Sequence, residues 1–69
     1  MKITFSKILR ELRLEKKLTQ KQLGDVFSVT SSTISDWETR GYEPSYQTLA
    51  ELAEYFSVTI GQLLGVEEY

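Results

Sequence analysis

The sequence contains no cysteine and no histidine, and these two absences exclude several classes of protein. Without thiols there is neither a disulfide framework nor a thiolate ligand for a metal. A zinc site built from carboxylates alone is not expected. Histidine is the usual general base near neutral pH, and the serines have no other base to activate them. We therefore expect no metal, no cofactor and no enzymatic activity.

Long apolar runs are also missing. A membrane-spanning helix needs about 20 apolar residues in succession, and no stretch of the chain approaches this. The first residues, Met1 to Thr4, lack the apolar segment of a signal peptide. These observations predict a cytoplasmic protein that does not insert into a membrane. With 69 residues, the chain is expected to form a single domain over residues 1–69, with a thin core.

The charged residues are distributed unevenly, although the net charge is only −2. Residues 1–21 contain seven basic and two acidic side chains, whereas residues 22–69 contain one basic and eight acidic side chains. Such asymmetry is one indication of a surface that binds a polyanion. A solvated basic helix without a binding role would produce the same pattern, so charge alone does not decide between the two.

Apolar residues recur at the three- and four-residue spacing of helices and do not alternate as they do in strands. This pattern predicts an all-α fold, a compact bundle of five short helices. The first helix is predicted over about 4–17, the second follows an N-cap at Thr19, and the third is predicted over about 31–40. The fourth begins at Ser45, and the fifth is a short helix after Thr59. Residues 65–69 are predicted to form a tail.

Several residues of these helices are predicted to face the core. The first helix presents Phe5, Ile8, Leu9 and Leu12; the second, Leu23 and Phe27; the third, Ile34 and Trp37; the fourth, Tyr46, Leu49, Ala50, Ala53 and Phe56; the fifth, Ile60, Leu63 and Leu64. The letters FSVT occur at 27–30 and again at 56–59. We interpret this repeat as the same tight corner used twice between short helices.

The side of the third helix opposite its core residues has an unusual composition. Ser31, Ser32, Ser35, Asp36 and Thr39 fall on one face, and all of them are short and polar. An ordinary exposed helix usually carries long charged side chains, which this face does not. Short polar groups can bond to base edges without holding a helix away from the major groove. The pattern therefore favours DNA binding, with an ordinary amphipathic helix as the alternative.

Several short motifs, in this order, resemble the Cro/phage-repressor (XRE-type) helix-turn-helix family. They are LRELR at 9–13, LTQKQL at 18–23, VTSSTISDWE at 29–38, PS at 44–45, TL at 48–49, LA at 52–53 and LL at 63–64. The resemblance covers about residues 5–65. It implies a lambda-repressor-like fold with a helix-turn-helix at about 20–38.

The resemblance also implies roles for individual residues. Those expected to contact bases are Thr30, Ser31, Ser32, Ser35 and Asp36. Those expected to contact phosphates are Thr19, Gln20, Lys21, Thr33, Thr39, Arg40, Gly41 and Tyr42. By resemblance, Arg13 and Glu38 form an internal salt bridge, and Trp37 fills a core position.

The sequence departs from the family pattern at a few positions. Lys17, Ser28 and Ser57 occupy positions where many relatives have glycine, and where the backbone often has to be left-handed. Gly24 occupies a helical position where alanine is common, and it would allow the third helix to approach closely. Asp36 occupies a position where many relatives have arginine, lysine or glutamine. It either accepts a hydrogen bond from cytosine or pairs with a nearby basic side chain and contacts no base.

These observations predict a sequence-specific transcriptional regulator, expected to be a repressor, whose third helix enters the major groove. By symmetry, we expect a homodimer on a pseudo-palindromic operator of double-stranded DNA. The resemblance places its dimer surface at the fifth helix and the loop before the fourth. One alternative is a protein-interaction module of the same fold with weak or no DNA binding. Another is the antitoxin of a toxin–antitoxin pair.

Overall fold

Five helices and no strand are present in residues 4–68, the part of the chain that the computed structural model describes. They are α1 (Phe5–Glu15), α2 (Gln20–Phe27), α3 (Ser31–Thr39), α4 (Tyr46–Tyr55) and α5 (Ile60–Leu64). The all-α prediction is confirmed. The expectations that concern Met1 to Ile3 and Tyr69 lie outside the described residues.

Each helix begins after a residue with a side-chain hydroxyl. Thr4, Thr19, Thr30, Ser45 and Thr59 are the N-caps, and each side-chain oxygen accepts the backbone N–H three residues later. At Thr19 and Thr59 the side-chain oxygen of a glutamine three residues later accepts the backbone N–H of the cap, which completes a capping box. Each cap satisfies N–H groups that have no partner within the helix. The starts of the helices are thus set by local sequence.

The core is formed by one apolar cluster drawn from all five helices. Its members are Phe5, Ile8, Leu9, Leu12, Leu23, Ile34, Trp37, Leu49, Leu52, Ala53, Phe56 and Leu63. The prediction that Tyr46 faces the core is wrong, because its side chain is 75% exposed. Tyr46 is the first residue of α4, and the helix buries Leu49, Leu52 and Ala53 instead. Phe27, Ala50, Ile60 and Leu64 are only partly buried.

Lys17, Ser28 and Ser57 adopt the left-handed backbone expected at these positions, with φ of 58°, 59° and 59°. In the corner after α2, the N–H of Val29 bonds to the carbonyl of Gly24, five residues earlier. Val58 and Ala53 repeat this bond after α4. This is the pattern of a helix ended by a left-handed residue. The repeated FSVT letters therefore correspond to the same backbone turn.

Residues 65–68, which belong to the segment predicted as a tail, form hydrogen bonds back to the start of α5. Gly65 ends the helix with φ of 82°. The N–H groups of Val66 and Glu67 then bond to the carbonyl of Gly61, and the hydroxyl of Thr59 donates to the Glu67 carboxylate at 2.6 Å. These contacts hold the segment against the start of α5. Over the described residues, no helix is long and apolar enough to cross a membrane.

Candidate nucleic-acid interface

The helix α3 divides into a buried side and a polar side. Ile34, Trp37 and Glu38 are its buried residues. The residues predicted to face DNA lie at the surface: Ser31, Ser32 and Thr39 are exposed, and Ser35 and Asp36 are half-buried. We refer to these five residues as the α3 polar face. It presents side chains no longer than aspartate along an exposed helix, as a major-groove reader requires.

The turn between α2 and α3 is unusually close because of Gly24. A Cβ atom at this position would lie 2.6 Å from the carbonyl oxygen of Val29 and 3.3 Å from the backbone of Thr30. No real Cβ contact is that short, so a side chain here would force the turn to move. The glycine lets the segment that begins α3 pack directly on α2, as anticipated from the sequence.

An ion pair between Arg13 and Glu38 holds α3 against α1. The Nε atom of Arg13 lies 2.7 Å from Oε2 of Glu38, and the side chains are 9% and 1% exposed. A second N–H of Arg13 bonds to the other carboxylate oxygen at 3.0 Å, and a third bonds to the carbonyl of Leu18 at 2.7 Å. Hydrogen bonding to Glu38 raises the pKa of Arg13, against the lowering effect of burial. The expected salt bridge is therefore present, bidentate and almost completely buried.

The side chain of Gln20, which was predicted to contact a phosphate, joins this ion pair. Its Nε2 atom donates to Oε1 of Glu38 at 3.2 Å. Apolar spacing within one helix does not indicate this contact, because the two residues lie on different helices. The family resemblance did offer a signal, because it implies that the glutamine at this position supports the recognition helix as well as contacting a phosphate. Gln20 is partly buried and lies at the N-terminus of α2.

The hydroxyl groups near α3 differ in whether they already form hydrogen bonds within the protein. Thr30 caps the helix and its hydroxyl lies 3.1 Å from that of Thr33. Thr39 donates to the carbonyl of Ser35 at 2.7 Å. Among the hydrogen bonds within residues 4–68, none involves the hydroxyls of Ser31, Ser32 or Ser35. Within the α3 polar face, these three serines have the greatest freedom to turn towards a ligand.

Two exposed ion pairs lie on the helices of the motif. On α2, Lys21 is 3.3 Å from Asp25. At the end of α3, Nε of Arg40 is 3.4 Å from Oδ1 of Asp36. The contact of Asp36 with a basic side chain, weighed from the sequence as an alternative to base contact, is thus present in the free protein.

The other residues expected to contact phosphates surround the α3 polar face in sequence. Thr19 and Lys21 are exposed at the start of α2, and Thr33 is half-buried on α3. Gly41, with φ of 73°, and Tyr42 are exposed in the loop before α4. Each cap hydroxyl of α2 and α3 accepts one N–H, three residues later, and the preceding N–H groups lie at the helix end, where the helix dipole attracts anions.

Known proteins share this arrangement. The helix-turn-helix family model HTH_3 matches residues 9–63. The chain belongs to this family. The chain is also similar to BcrR of Enterococcus faecalis, an HTH-type transcriptional activator, with 43% identity over 65 residues. The immunity repressor protein of Bacillus phage phi105 is 31% identical over 65 residues. These matches confirm the resemblance to Cro/phage-repressor-type regulators.

A solved structure of a helix-turn-helix protein shows the same fold. The P22 c2 repressor, crystallised with the synthetic operator 9T, matches with a TM-score of 0.83 and 26% identity. The match covers 94% of this chain and 98% of that one. The matches to BcrR and the phi105 repressor cover 93% and 94% of this chain. They cover only 31% and 45% of those relatives, so the chain spans less than half the length of either.

Proposed function

We propose that this chain is a sequence-specific DNA-binding domain of a transcriptional regulator and that it inserts α3 into the major groove. The observation that carries the proposal is the α3 polar face, an exposed helix surface made only of serine, threonine and aspartate. Its residues Ser31, Ser32, Ser35 and Asp36, together with Thr30 at the cap, contact bases. The phosphate contacts are made by Thr19, Gln20, Lys21, Thr33, Thr39, Arg40, Gly41 and Tyr42.

The charge distribution supports this orientation. Seven of the eight basic residues precede residue 22, whereas acidic side chains predominate in the rest of the chain. Phosphate contacts by lysine and arginine release counterions from DNA and supply most of the non-specific affinity. The basic residues of the N-terminal third other than Arg13, which is buried against Glu38, therefore add affinity, and the nearly uncharged α3 polar face provides sequence preference.

We further propose that the domain represses transcription as a homodimer on a pseudo-palindromic operator. The similarity to the phi105 immunity repressor and the P22 c2 repressor favours repression. BcrR, by its description, is an activator, so the direction of regulation needs its own measurement, such as a reporter under the selected operator. With two-fold symmetry, the half-sites are one helical turn apart, about 34–36 Å.

Selection of bound duplexes from a random library tests the proposal most directly. We expect a pseudo-palindromic consensus whose affinity falls steeply between 50 and 200 mM salt, as several phosphate contacts require. A consensus without internal symmetry would contradict the dimer and leave the DNA-binding proposal in place. If no duplex is retained at low salt, the domain does not bind DNA.

A protein-interaction module of the same fold is the second candidate. Two observations favour it: a carboxylate, Asp36, lies in the middle of the α3 polar face, and the pI is about 5.0. Both oppose non-specific attraction to DNA. The library selection separates the two candidates, because an interaction module would retain no duplex at any salt concentration.

A further inference from the structure

Asp36 and Arg40 form one charged unit on the proposed reading surface. Nε of Arg40 is 3.4 Å from Oδ1 of Asp36, and the two side chains are 66% and 46% exposed. The backbone N–H of Arg40 also bonds to the carbonyl of Asp36 at 2.9 Å, which fixes their relative position at the end of α3. Since arginine has five N–H donors, the ion pair leaves Oδ2 of Asp36 and four donors of Arg40 available.

A carboxylate on a surface that faces DNA has to be compensated. It accepts a hydrogen bond from cytosine N4 readily, but the nearby phosphates repel it. The other acidic residue of α3, Glu38, is already held by Arg13 and Gln20. Arg40 is the only basic residue after position 21, so no other cation from this part of the chain can neutralise the carboxylate of Asp36.

We propose that Asp36 reads cytosine only as part of a pair with Arg40, which stays bound to it on DNA. Asp36 accepts the N4 amino group through its carboxylate. Arg40 neutralises that carboxylate and directs its remaining donors to the adjacent phosphate. Arg40 is thus a positioning residue that controls base preference without contacting a base. This inference rests on the proposed DNA-binding function and assigns a base class to the site.

The chain offers a matched control for this pair. Lys21 and Asp25 are also four residues apart, on α2, with a distance of 3.3 Å and both side chains well exposed. Neither residue belongs to the α3 polar face. Lys21→Ala therefore removes one cation from an equivalent ion pair without leaving an uncompensated carboxylate on that face.

The test is duplex selection with the wild-type chain and four variants: Asp36→Ala, Arg40→Ala, the double variant of both, and Lys21→Ala. Circular dichroism first establishes that each variant is folded. Asp36→Ala identifies the base pair that Asp36 reads, where we expect the wild type to prefer cytosine by about 5- to 150-fold. Arg40→Ala should lose the preference at that same base pair and keep it elsewhere.

The double variant separates compensation from simple phosphate contact. In the Asp36→Ala background, Arg40→Ala should reduce affinity for all duplexes and lower the salt slope by about 0.9, with no further change in preference. Lys21→Ala should reduce affinity in the same uniform way.

Two results would overturn the inference while leaving DNA binding intact. One is a cytosine preference that persists in Arg40→Ala, and the other is a consensus unchanged by Asp36→Ala. The failure of the wild type to select any duplex would instead overturn the proposed function itself.

Discussion

The side-chain amide of Gln20 donates to Glu38 at 3.2 Å, and the same carboxylate accepts two N–H groups from Arg13. The start of α2 is therefore connected to the end of α3 and to α1 through one buried anion. Because Nε2 is held by Glu38, the amide is fixed in orientation, and its second N–H is available to a phosphate. A phosphate bound by this amide would therefore be held in position by the buried ion pair of Arg13 and Glu38.

Gln20→Ala is expected to weaken binding to all duplexes by a similar factor, with a loss of about 1.5–3 kcal/mol for a hydrogen bond to a charged group. The salt slope should change little, because an amide displaces no counterion. Competition binding with the selected operator and with unrelated duplexes measures both effects. A change in sequence preference would show that Gln20 contacts a base.

Arg13→Ala is expected to destabilise the domain by about 3–5 kcal/mol, since it leaves Glu38 as an unpaired buried charge. In a 69-residue domain such a loss is comparable to the whole stability. Under conditions where the variant is folded, its free energy of DNA binding should fall by much less than its free energy of unfolding. Urea unfolding at several salt concentrations provides the measurement.

The double variant Arg13→Met with Glu38→Met is the control for this assignment. It removes both charges together and replaces them with apolar side chains of similar length, which often restores stability or exceeds it. We expect it to unfold at higher urea than Arg13→Met alone. Equal stability of the two variants would show that the unpaired buried charge of Glu38 does not cause the destabilisation.

Local sequence was sufficient to predict most of the fold. The hydroxyl caps and the apolar spacing depend on residues close together in the chain, and all five helices are found where they were expected. The left-handed positions were expected from the family resemblance. Tyr46 was misplaced because periodicity does not reveal which residue of the first turn packs against a neighbour. The Gln20–Glu38 bond joins residues 18 apart, so it depends on the packing of α2 against α3, which spacing within one helix does not encode.

Ser28→Gly and Ser57→Gly should each stabilise the domain. Both serines have φ of 59°, a conformation that costs a residue with a Cβ about 1–2 kcal/mol. Glycine loses about 0.5–1 kcal/mol of that gain through its greater freedom in the unfolded chain, so a net gain of up to about 1.5 kcal/mol remains. Thermal unfolding tests this, with Ser32→Gly inside α3 as a control that should be destabilised. A loss of stability at both turns would mean that the serine side chains contribute there.

Gly24→Ala should destabilise the domain even though alanine is the better helix former. The new Cβ would lie 2.6 Å from the backbone oxygen of Val29, and relieving such a contact costs about 1–3 kcal/mol, more than the 0.5–1 kcal/mol gained in the helix. Gly61→Ala is the matched control, because the atoms nearest to its Cβ would belong to the flexible Glu67 side chain and not to the backbone. That side chain can move away, at the loss of its exposed bond with Thr59. In chemical denaturation, we expect Gly24→Ala to lose more stability than Gly61→Ala. The reverse order would mean that the α2–α3 turn opens easily, and that its close approach does not fix the position of α3.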